Sequence, residues 1–406
     1  MDEQNQIEQE IQNSFYEKNA EGILVTMNNY WDYFGPAELS SAFSKLATLY
    51  KEDSSLRYGI LSFFHDYDED SIEYRKKLFE KVIKYKKQLY CEELANIIRS
   101  LAIFKIDKDE RIVTEIHREI ISQLTSQGTG CAEPQVVASM LWAVAHLNID
   151  GNSRLVEILT RELTPENLQR FFDDLLVRVL WSLSALCLPA SNQYVEAVIG
   201  EIIINRYPFV NFSISDIGLF LWLYTLYSLK QSKVTDELFR RLNESVSYLE
   251  SNIEGITQAI ICYYYYKPDP AKYPKFYELV KQNEDKLTRK KDRESSRLHD
   301  GIHEILLAIP SLPTLEKEKF LFGFYVDEYL NFNGKDYIIE INGPIHFLSC
   351  RERISGEIKE KIFHKNGFRI INFDYKDREE LNKWHRKSKS QQKDVIEEVF
   401  RKEKIL

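Results

Sequence analysis

The C-terminal part of the sequence carries a concentration of basic side chains that could bind a polyanion. Four Lys or Arg residues lie between positions 359 and 369, and five basic residues follow between 383 and 389. They are Lys359, Lys361, Lys365, Arg369, Lys383, His385, Arg386, Lys387 and Lys389. Such clustered positive charge is typical of proteins that bind the phosphate groups of a nucleic acid.

Two aromatic residues lie among these basic residues in the sequence. Tyr375 and Trp384 could stack on unpaired bases, a contact worth about 1–3 kcal/mol per base. The alternative for Trp384, which follows Leu381, Asn382 and Lys383, is packing against the sheet. Both interpretations stay open on the sequence alone.

Two carboxylates occupy the ends of predicted strands. For Asp327 and Glu340, one interpretation is structural, with each carboxylate paired to Lys335 or Lys359. The other interpretation places them in a binding site. His346 follows the predicted bend at Gly343–Pro344, where it either completes the turn through a hydrogen bond or contacts RNA.

Charge is distributed unevenly along the 406 residues, whose formal net charge is −9. Residues 286–406 carry 25 basic and 21 acidic side chains, whereas residues 1–285 carry 29 basic and 42 acidic side chains. A polyanion is repelled less by the C-terminal part. We therefore expect phosphate contacts in the C-terminal part and protein contacts in the preceding part.

Metal sites and membrane spans are not expected. The five cysteines are widely spaced and form no CxxC pair, so we predict no metal site and no cofactor. No stretch approaches the roughly 18 apolar residues of a membrane span, and the acidic residues at positions 2 and 3 are atypical of a targeting signal. We expect a soluble chain.

Apolar residues at helical spacing dominate positions 38–285, and an internal repeat organises them. Five segments align at positions 99, 142, 181, 222 and 262, with offsets of 43, 39, 41 and 40 residues. Each is followed by a second amphipathic segment. A pair of helices of this size cannot bury its apolar face alone, so we predict stacking into an α-solenoid. We interpret Trp142, Trp181 and Trp222 as core residues between the repeats.

A charged segment interrupts this pattern after residue 285. Residues 286–300 lack an apolar stripe and include Lys290 and Lys291, which could contact phosphate although such runs are most often only solvated. We therefore predict three parts. Residues 1–285 form the helical repeats, residues 286–319 a charged linker and connecting segment, and residues 320–406 a small α/β domain.

The periodicity changes to that of β-strands at position 320. Strands are predicted at 320–330 and 337–341, joined across the turn dipeptide Asn333–Gly334. A helix at 355–365 should end at Asn366–Gly367, followed by a strand at 368–373 and a helix at 391–404. The predicted order is β-β-α-β-α.

Short motifs in this part resemble the RAP domain in their order and spacing. They are YVD at 325–327, IIEINGPIHF at 338–347, KEKIF at 359–363 and NGFRII at 366–371. The resemblance covers roughly residues 320–400 and implies an RNA-binding module. Such modules commonly follow degenerate helical repeats in mitochondria or plastids, and the upstream repeats are similar to the heptatricopeptide or octotricopeptide type.

The RAP domain in turn resembles the restriction-endonuclease-like fold, which raises the question of catalysis. In such folds an Asp and a Glu-x-Lys motif hold Mg²⁺ and position a water molecule. Asp327 and Glu340 match the carboxylates, but Asn342 stands in place of the lysine and cannot stabilise a pentavalent phosphate with a positive charge. Residues that could partly compensate are His346, Lys359 and Lys361. The expectation is a phosphate-binding remnant rather than an active enzyme.

Three functions follow as hypotheses. The first is a non-catalytic RNA-binding protein of an organelle, by resemblance the mitochondrion, including a role as an rRNA-scaffolding component of the mitochondrial ribosome. In that hypothesis RNA binds the C-terminal domain and proteins bind the repeats. The second is a metal-dependent RNA endonuclease or RNA-processing factor. The third is a protein-interaction solenoid in which the RAP-like module is only structural.

Overall fold

Amphipathic helices form the N-terminal part of the chain, in agreement with the spacing of its apolar residues. The computed structural model describes residues 3–65, 69–127, 133–230, 232–250, 253–288, 297–343 and 350–405. The chain divides into two compact units, residues 1–205 and 206–406. The helices of the first unit are α1 Glu3–Tyr16, α2 Ala20–Asn29, α3 Pro36–Glu52, α4 Arg57–His65, α5 Glu69–Tyr85, α6 Cys91–Ile103, α7 Arg111–Gln127, α8 Pro134–His146, α9 Arg154–Thr160, α10 Pro165–Leu168, α11 Asp173–Ala185 and α12 Gln193–Gly200.

The second unit begins with helices and ends with a small sheet flanked by helices. Its elements are α13 Ile214–Leu226, α14 Ser232–Glu244, α15 Val246–Glu250, α16 Ile253–Tyr266, α17 Pro274–Thr288, α18 Arg297–Leu307, β1 Glu316–Leu321, β2 Phe324–Phe332, β3 Lys335–Asn342, α19 Cys350–Lys365, β4 Arg369–Asp374, α20 Arg378–Arg386 and α21 Lys389–Lys402. The prediction of a helical N-terminal part followed by a small α/β part is confirmed.

Each of the five aligned repeat segments is a helix, and each is followed by a second helix, as predicted. Within the first unit, α3, α6, α8 and α11 pack against one another in sequence order. In the second unit, α13 packs against α16 in the same way. Among the described residues, no helix combines the length and apolar character needed to cross a bilayer.

The sheet has the strand order β1-β2-β3-β4, with the first three strands antiparallel and β4 parallel to β3. The predicted single strand at 320–330 is wrong, because a tight turn divides it. Phe322 and Gly323 adopt φ values of 54° and 89°, which reverse the chain between β1 and β2. The predicted turn at Asn333–Gly334 is confirmed, with φ values of 51° and 72°.

Two helices of the second unit differ from the sequence predictions. Helix α18 lies in the predicted linker, yet Leu298, Ile302 and Leu306 belong to the core beneath the sheet. Part of the predicted linker is therefore core, since one face of α18 is apolar. Helix α20 was not predicted and begins at its N-cap, Asp377, whose side chain accepts hydrogen bonds from two backbone N–H groups.

The sheet separates two apolar clusters. Ile339, Ile341 and Phe373 face one side and pack with α18 and α21, while Ile338 packs with Phe363 of α19 on the other. Successive residues of a strand point to opposite faces, so the alternation in β3 fixes which side chains face α19. That face carries the candidate site.

Gly323→Ala should destabilise the second unit by about 3 kcal/mol, because the added Cβ both disfavours the positive φ of this residue and clashes with a neighbouring side chain. Gly323 has a φ of 89°, and an added Cβ would lie 2.9 Å from Cγ1 of Ile261. Gly334→Ala is the matched control, since its φ is 72° but nothing lies within 4 Å of an added Cβ. We expect a loss of only about 1 kcal/mol there in urea unfolding. Equal losses would contradict the role of the packing contact.

Candidate nucleic-acid interface

Polar side chains of three neighbouring strands meet on the sheet face that α19 covers. The register pairs Glu340 with Asn372 and Asn342 with Asp374. On the other side, the pairing of Glu328 with Ile339 sets Asp327 opposite Glu340. These side chains line a pocket of about 700 Å³, which His299 and Lys359 also border. Asp327 and Glu340, the two carboxylates that the resemblance singles out, thus line one pocket.

Position 342 carries an asparagine where the nuclease motif has a lysine, and Lys359 of α19 brings a positive charge to the same pocket. Lys359 lies one helical turn before Phe363, which is buried against the sheet, so its side chain faces the strands. Its Nζ donates to Oε2 of Glu340 at 2.6 Å and to the backbone oxygen of Tyr325 at 2.9 Å. The predicted alternative that Lys359 pairs with a strand carboxylate is confirmed for Glu340.

Glu340 is a buried carboxyl group of which only one oxygen is bonded to a cation. Its side chain is only 12% exposed, and Oε1 has no hydrogen-bond partner among the described residues. Burial raises the pKa of Glu340 to about 7, although the charge of Lys359 opposes this effect and that of Asp327 adds to it. A carboxyl with this pKa can exchange a proton near neutral pH.

Asp327 is held in place by the ends of two elements. Its Oδ2 accepts from the backbone N–H of Ile341 at 2.7 Å, and its Oδ1 lies 3.6 Å from Nδ1 of His299. His299 Nε2 lies 2.8 Å from the backbone oxygen of Ile341. Across the described part of the chain, no three His, Cys, Asp or Glu side chains are arranged to hold a metal ion.

The predicted basic residues around α19 do not form one surface. Lys359 faces the sheet, whereas Lys361 donates to the backbone oxygen of Leu226 in α13. Arg369 lies at the start of β4, with its guanidinium carbon 5.8 Å from the ring centre of Tyr337. The expectation that these side chains grip one phosphate strand together is wrong, because residues two apart on a helix point to different sides.

Tyr375 and Trp384 are structural residues in the core. Their exposed fractions are 8% and 6%, and their ring centres lie 5.5 Å apart. Both belong to the apolar cluster that α18 and α21 build against the sheet. Base stacking on these rings is excluded in this conformation, and the sequence alternative of sheet packing holds for Trp384. The three other predicted contacts, His346, Lys290 and Lys291, lie outside the described residues.

Lys365, one of the predicted basic residues, lies near two lysines that the sequence analysis did not single out, Lys230 and Lys267. We name these three residues the lysine cluster. Burial and the positive charges of Lys267 and Lys230 lower the pKa of Lys365. Nζ of Lys365 lies 3.9 Å from the ring centre of Tyr265. All three lysines are exposed, and within the described ranges none forms an ion pair.

Local helix geometry explains where the lysine cluster lies. Lys230 and Lys267 follow the C-terminal ends of α13 and α16, and Lys365 is the last residue of α19. Positive charges are favourable at helix C-termini because the exposed carbonyl groups carry negative partial charge. Helix α19 packs against both α13 and α16, with Lys361 bonded to Leu226 at the end of α13 and Lys365 over Tyr265 near the end of α16. The sequence signal was a lysine near the end of each helix.

Comparison with known proteins gives no family assignment. No protein-family model and no curated protein matches this chain.

Proposed function

We propose that the chain is a non-catalytic RNA-binding protein whose second unit holds a sugar-phosphate strand at the lysine cluster. The observation that carries this proposal is a group of three exposed lysines without acidic partners among the described residues, where α19 meets the ends of α13 and α16, in a chain of net charge −9. Holding like charges together costs free energy, which a bound polyanion offsets by neutralising them.

The resemblance of residues 320–400 to the RAP domain supports the same ligand. In this proposal the second unit ends in a RAP-type module of the restriction-endonuclease-like fold, and the helix pairs form an α-solenoid that contacts proteins. The mitochondrion is the proposed location, and scaffolding of ribosomal RNA is the proposed role there. Co-sedimentation with mitochondrial ribosomal particles after a salt wash would support that role.

The test of RNA binding replaces the lysine cluster in the full-length chain. Lys230→Gln/Lys267→Gln/Lys365→Gln should weaken binding of a 20-nucleotide single-stranded RNA by roughly 30-fold, or about 0.7 kcal/mol per lysine. The slope of log affinity against log salt should fall by about 2, since each lost phosphate contact removes about 0.7. Fluorescence anisotropy measured between 50 and 300 mM KCl reports both quantities.

The control removes three positive charges that already have acidic partners. Lys383, Lys389 and Lys402 pair with Glu379, Glu304 and Glu398, and all three lysine side chains are largely exposed. Their triple Gln variant should weaken RNA binding less than threefold. Equal weakening in both variants would mean that only net charge matters, and absence of RNA binding by the parent chain would refute the proposed function.

Metal-dependent RNA cleavage is the second candidate, favoured by Lys359 beside Glu340. Mg²⁺ is commonly held by one or two carboxylates together with water and phosphate oxygens, so Asp327 and Glu340 suit it as ligands. Bound there, Mg²⁺ would polarise a phosphate and lower the pKa of a water molecule. Cleavage of a short RNA that requires Mg²⁺ and is abolished by Asp327→Asn would establish this activity.

A further inference from the structure

One surface of the first unit, formed by partly exposed residues of four neighbouring helices, combines cations with stacked aromatic rings. Helices α3, α6, α8 and α11 lie side by side, and each turns one row of partly exposed residues away from the core. These rows contribute Lys51, Arg99, Trp142, His146, Arg178 and Trp181, which we name the cation–aromatic patch. Positions 99, 142 and 181 are equivalent in the repeat, so the repeat itself aligns them.

The three rings form a continuous stack. The ring centres of Trp142 and His146 are 3.6 Å apart with planes inclined by 28°, and those of His146 and Trp181 are 4.6 Å apart and inclined by 31°. Nδ1 of His146 lies 2.9 Å from the backbone oxygen of Trp142, which fixes its ring. Lys51 lies over Trp142, with Nζ 4.5 Å from the ring centre.

Trp142 and Trp181 make contacts between the repeats, as predicted, but they are not core residues. Trp142 and Trp181 are only partly buried, whereas Trp222 is 5% exposed and is a core residue as predicted. A core position requires apolar neighbours on all sides, but a histidine separates these two indoles and a lysine covers the first. The partly exposed parts of these two indoles are therefore what a ligand can reach.

The cations of the patch have little internal compensation. Burial and the positive charges of Arg99 and Arg178 lower the pKa of Lys51 to about 8, and burial and Arg178 lower the pKa of Arg99. Arg178 contacts Asp174 at 3.3 Å. In the part of the chain that the structure describes, Lys51 and Arg99 form no ion pair. This lack of acidic partners is confined to the patch, because residues 1–285 as a whole contain 42 acidic and only 29 basic side chains.

We propose that the cation–aromatic patch is a second RNA site, on the first unit, that binds phosphates of a single strand through Lys51, Arg99 and Arg178. The inference rests on the proposed RNA-binding function and extends it to the unit that sequence charge assigned to proteins. A nucleotide strand presents a phosphate and a flat base in every repeating unit, which suits cations that flank partly exposed indoles. An acidic peptide would match the cations but would leave the indoles without a partner.

The experiment uses the full chain and a 20-nucleotide RNA that contains 5-iodouridine. After irradiation, peptides carrying crosslinks are identified by mass spectrometry. We expect crosslinks to Trp142 or Trp181 in the parent chain and their loss in Lys51→Gln/Arg99→Gln. The same variant should bind the RNA about 10-fold more weakly. Crosslinks confined to residues 206–406 would overturn the second site and leave the proposed function standing, whereas no crosslinks anywhere would count against both.

Two controls separate charge from structure and RNA from protein. Arg111→Gln/Arg161→Gln removes two cations that pair with Glu80 and Glu157, and it should leave crosslinking unchanged. Lys51→Arg should retain crosslinking because it keeps the charge. Polyglutamate at equal charge concentration should not displace the RNA from the tryptophans. Effective displacement would overturn the RNA assignment and identify the patch as a site for acidic protein segments.

Discussion

Lys359→Met is expected to destabilise the second unit by about 3–5 kcal/mol at pH 8, because it leaves Glu340 buried without its cation. The side chains of Lys359 and Glu340 are 16% and 12% exposed, so water can replace the ammonium group only poorly. Glu340 would respond by binding a proton. The loss should therefore shrink at pH 5, where Glu340 is neutral with or without the lysine.

Urea unfolding at both pH values measures this effect, and hydrogen exchange of the β2 and β3 amides assigns it to the sheet. The double variant Lys359→Met/Glu340→Leu should recover most of the loss, since it removes the stranded carboxylate as well. Lys389→Met is the matched control. Its pair with Glu304 is 82% and 64% exposed, and it should contribute less than about 1 kcal/mol. A loss of similar size in Lys389→Met would contradict the argument from burial.

The same double variant separates a structural pair from a functional one. If it binds RNA with the affinity of the parent chain, Lys359 and Glu340 hold α19 on the sheet and do not contact RNA. If its stability is restored and Mg²⁺-dependent cleavage is lost, the pair belongs to a catalytic site. Because stability and activity are measured on the same variant, a loss of activity cannot be caused by a folding defect.

The sequence predicted local elements well where a single residue type determines the conformation. Asn333–Gly334 and Asn366–Gly367 mark a turn and a helix end because these residues accept positive φ values. The turn at Phe322–Gly323 escaped prediction, since the first position is a phenylalanine at a φ of 54°. Neighbouring apolar residues on both sides made the segment resemble one strand.

Residues from neighbouring strands were also predictable as a site. Asp327 and Glu340 belong to adjacent strands of one hairpin, so their proximity follows from the turn and the register. The orientation of Lys359 was harder to predict, because it depends on the position of Lys359 around α19 relative to the buried Phe363. Charge counting alone could not distinguish it from Lys361, which points to α13.

The lysine cluster depends on packing between helices far apart in the sequence. Lys230, Lys267 and Lys365 are brought together only because α19 packs on the ends of α13 and α16. Helical repeats are recognisable by their period, but the period does not say which helix a following domain will contact. Tyr375 and Trp384 illustrate the opposite error, since aromatic residues within a basic segment are as easily core as surface.

Stability of the second unit should fall as pH rises from 7 to 8, because of the buried carboxyl of Glu328. This side chain is 1% exposed, its Oε1 lies 2.6 Å from Nδ1 of His303, and its Oε2 has no partner among the described residues. Burial raises the pKa of Glu328 from 4.5 to about 8, with Lys317 opposing and Asp327 adding to the shift. The folded state therefore keeps a proton that the unfolded chain releases.

Between pH 4.5 and 8 the unfolded chain binds fewer protons at Glu328, so unfolding becomes easier as pH rises. Glu340 acts in the same direction up to about pH 7. His303 acts in the opposite direction below pH 6.5, because burial lowers its pKa and the folded state releases its proton first. The window from pH 7 to 8 is consequently where Glu328 acts without these two groups.

Glu328→Gln should make the second unit more stable than the parent by about 2–4 kcal/mol at pH 9, with little difference at pH 5. Urea unfolding at half-unit steps from pH 5 to 9 measures the difference. Glu166→Gln, an exposed carboxyl of α10, should reproduce the parent curve. The same decline above pH 7 in Glu328→Gln would show that the buried carboxyl is not its cause. A parent curve that stays flat there would mean that Glu328 is already ionised in the folded protein, with His303 as its charged partner.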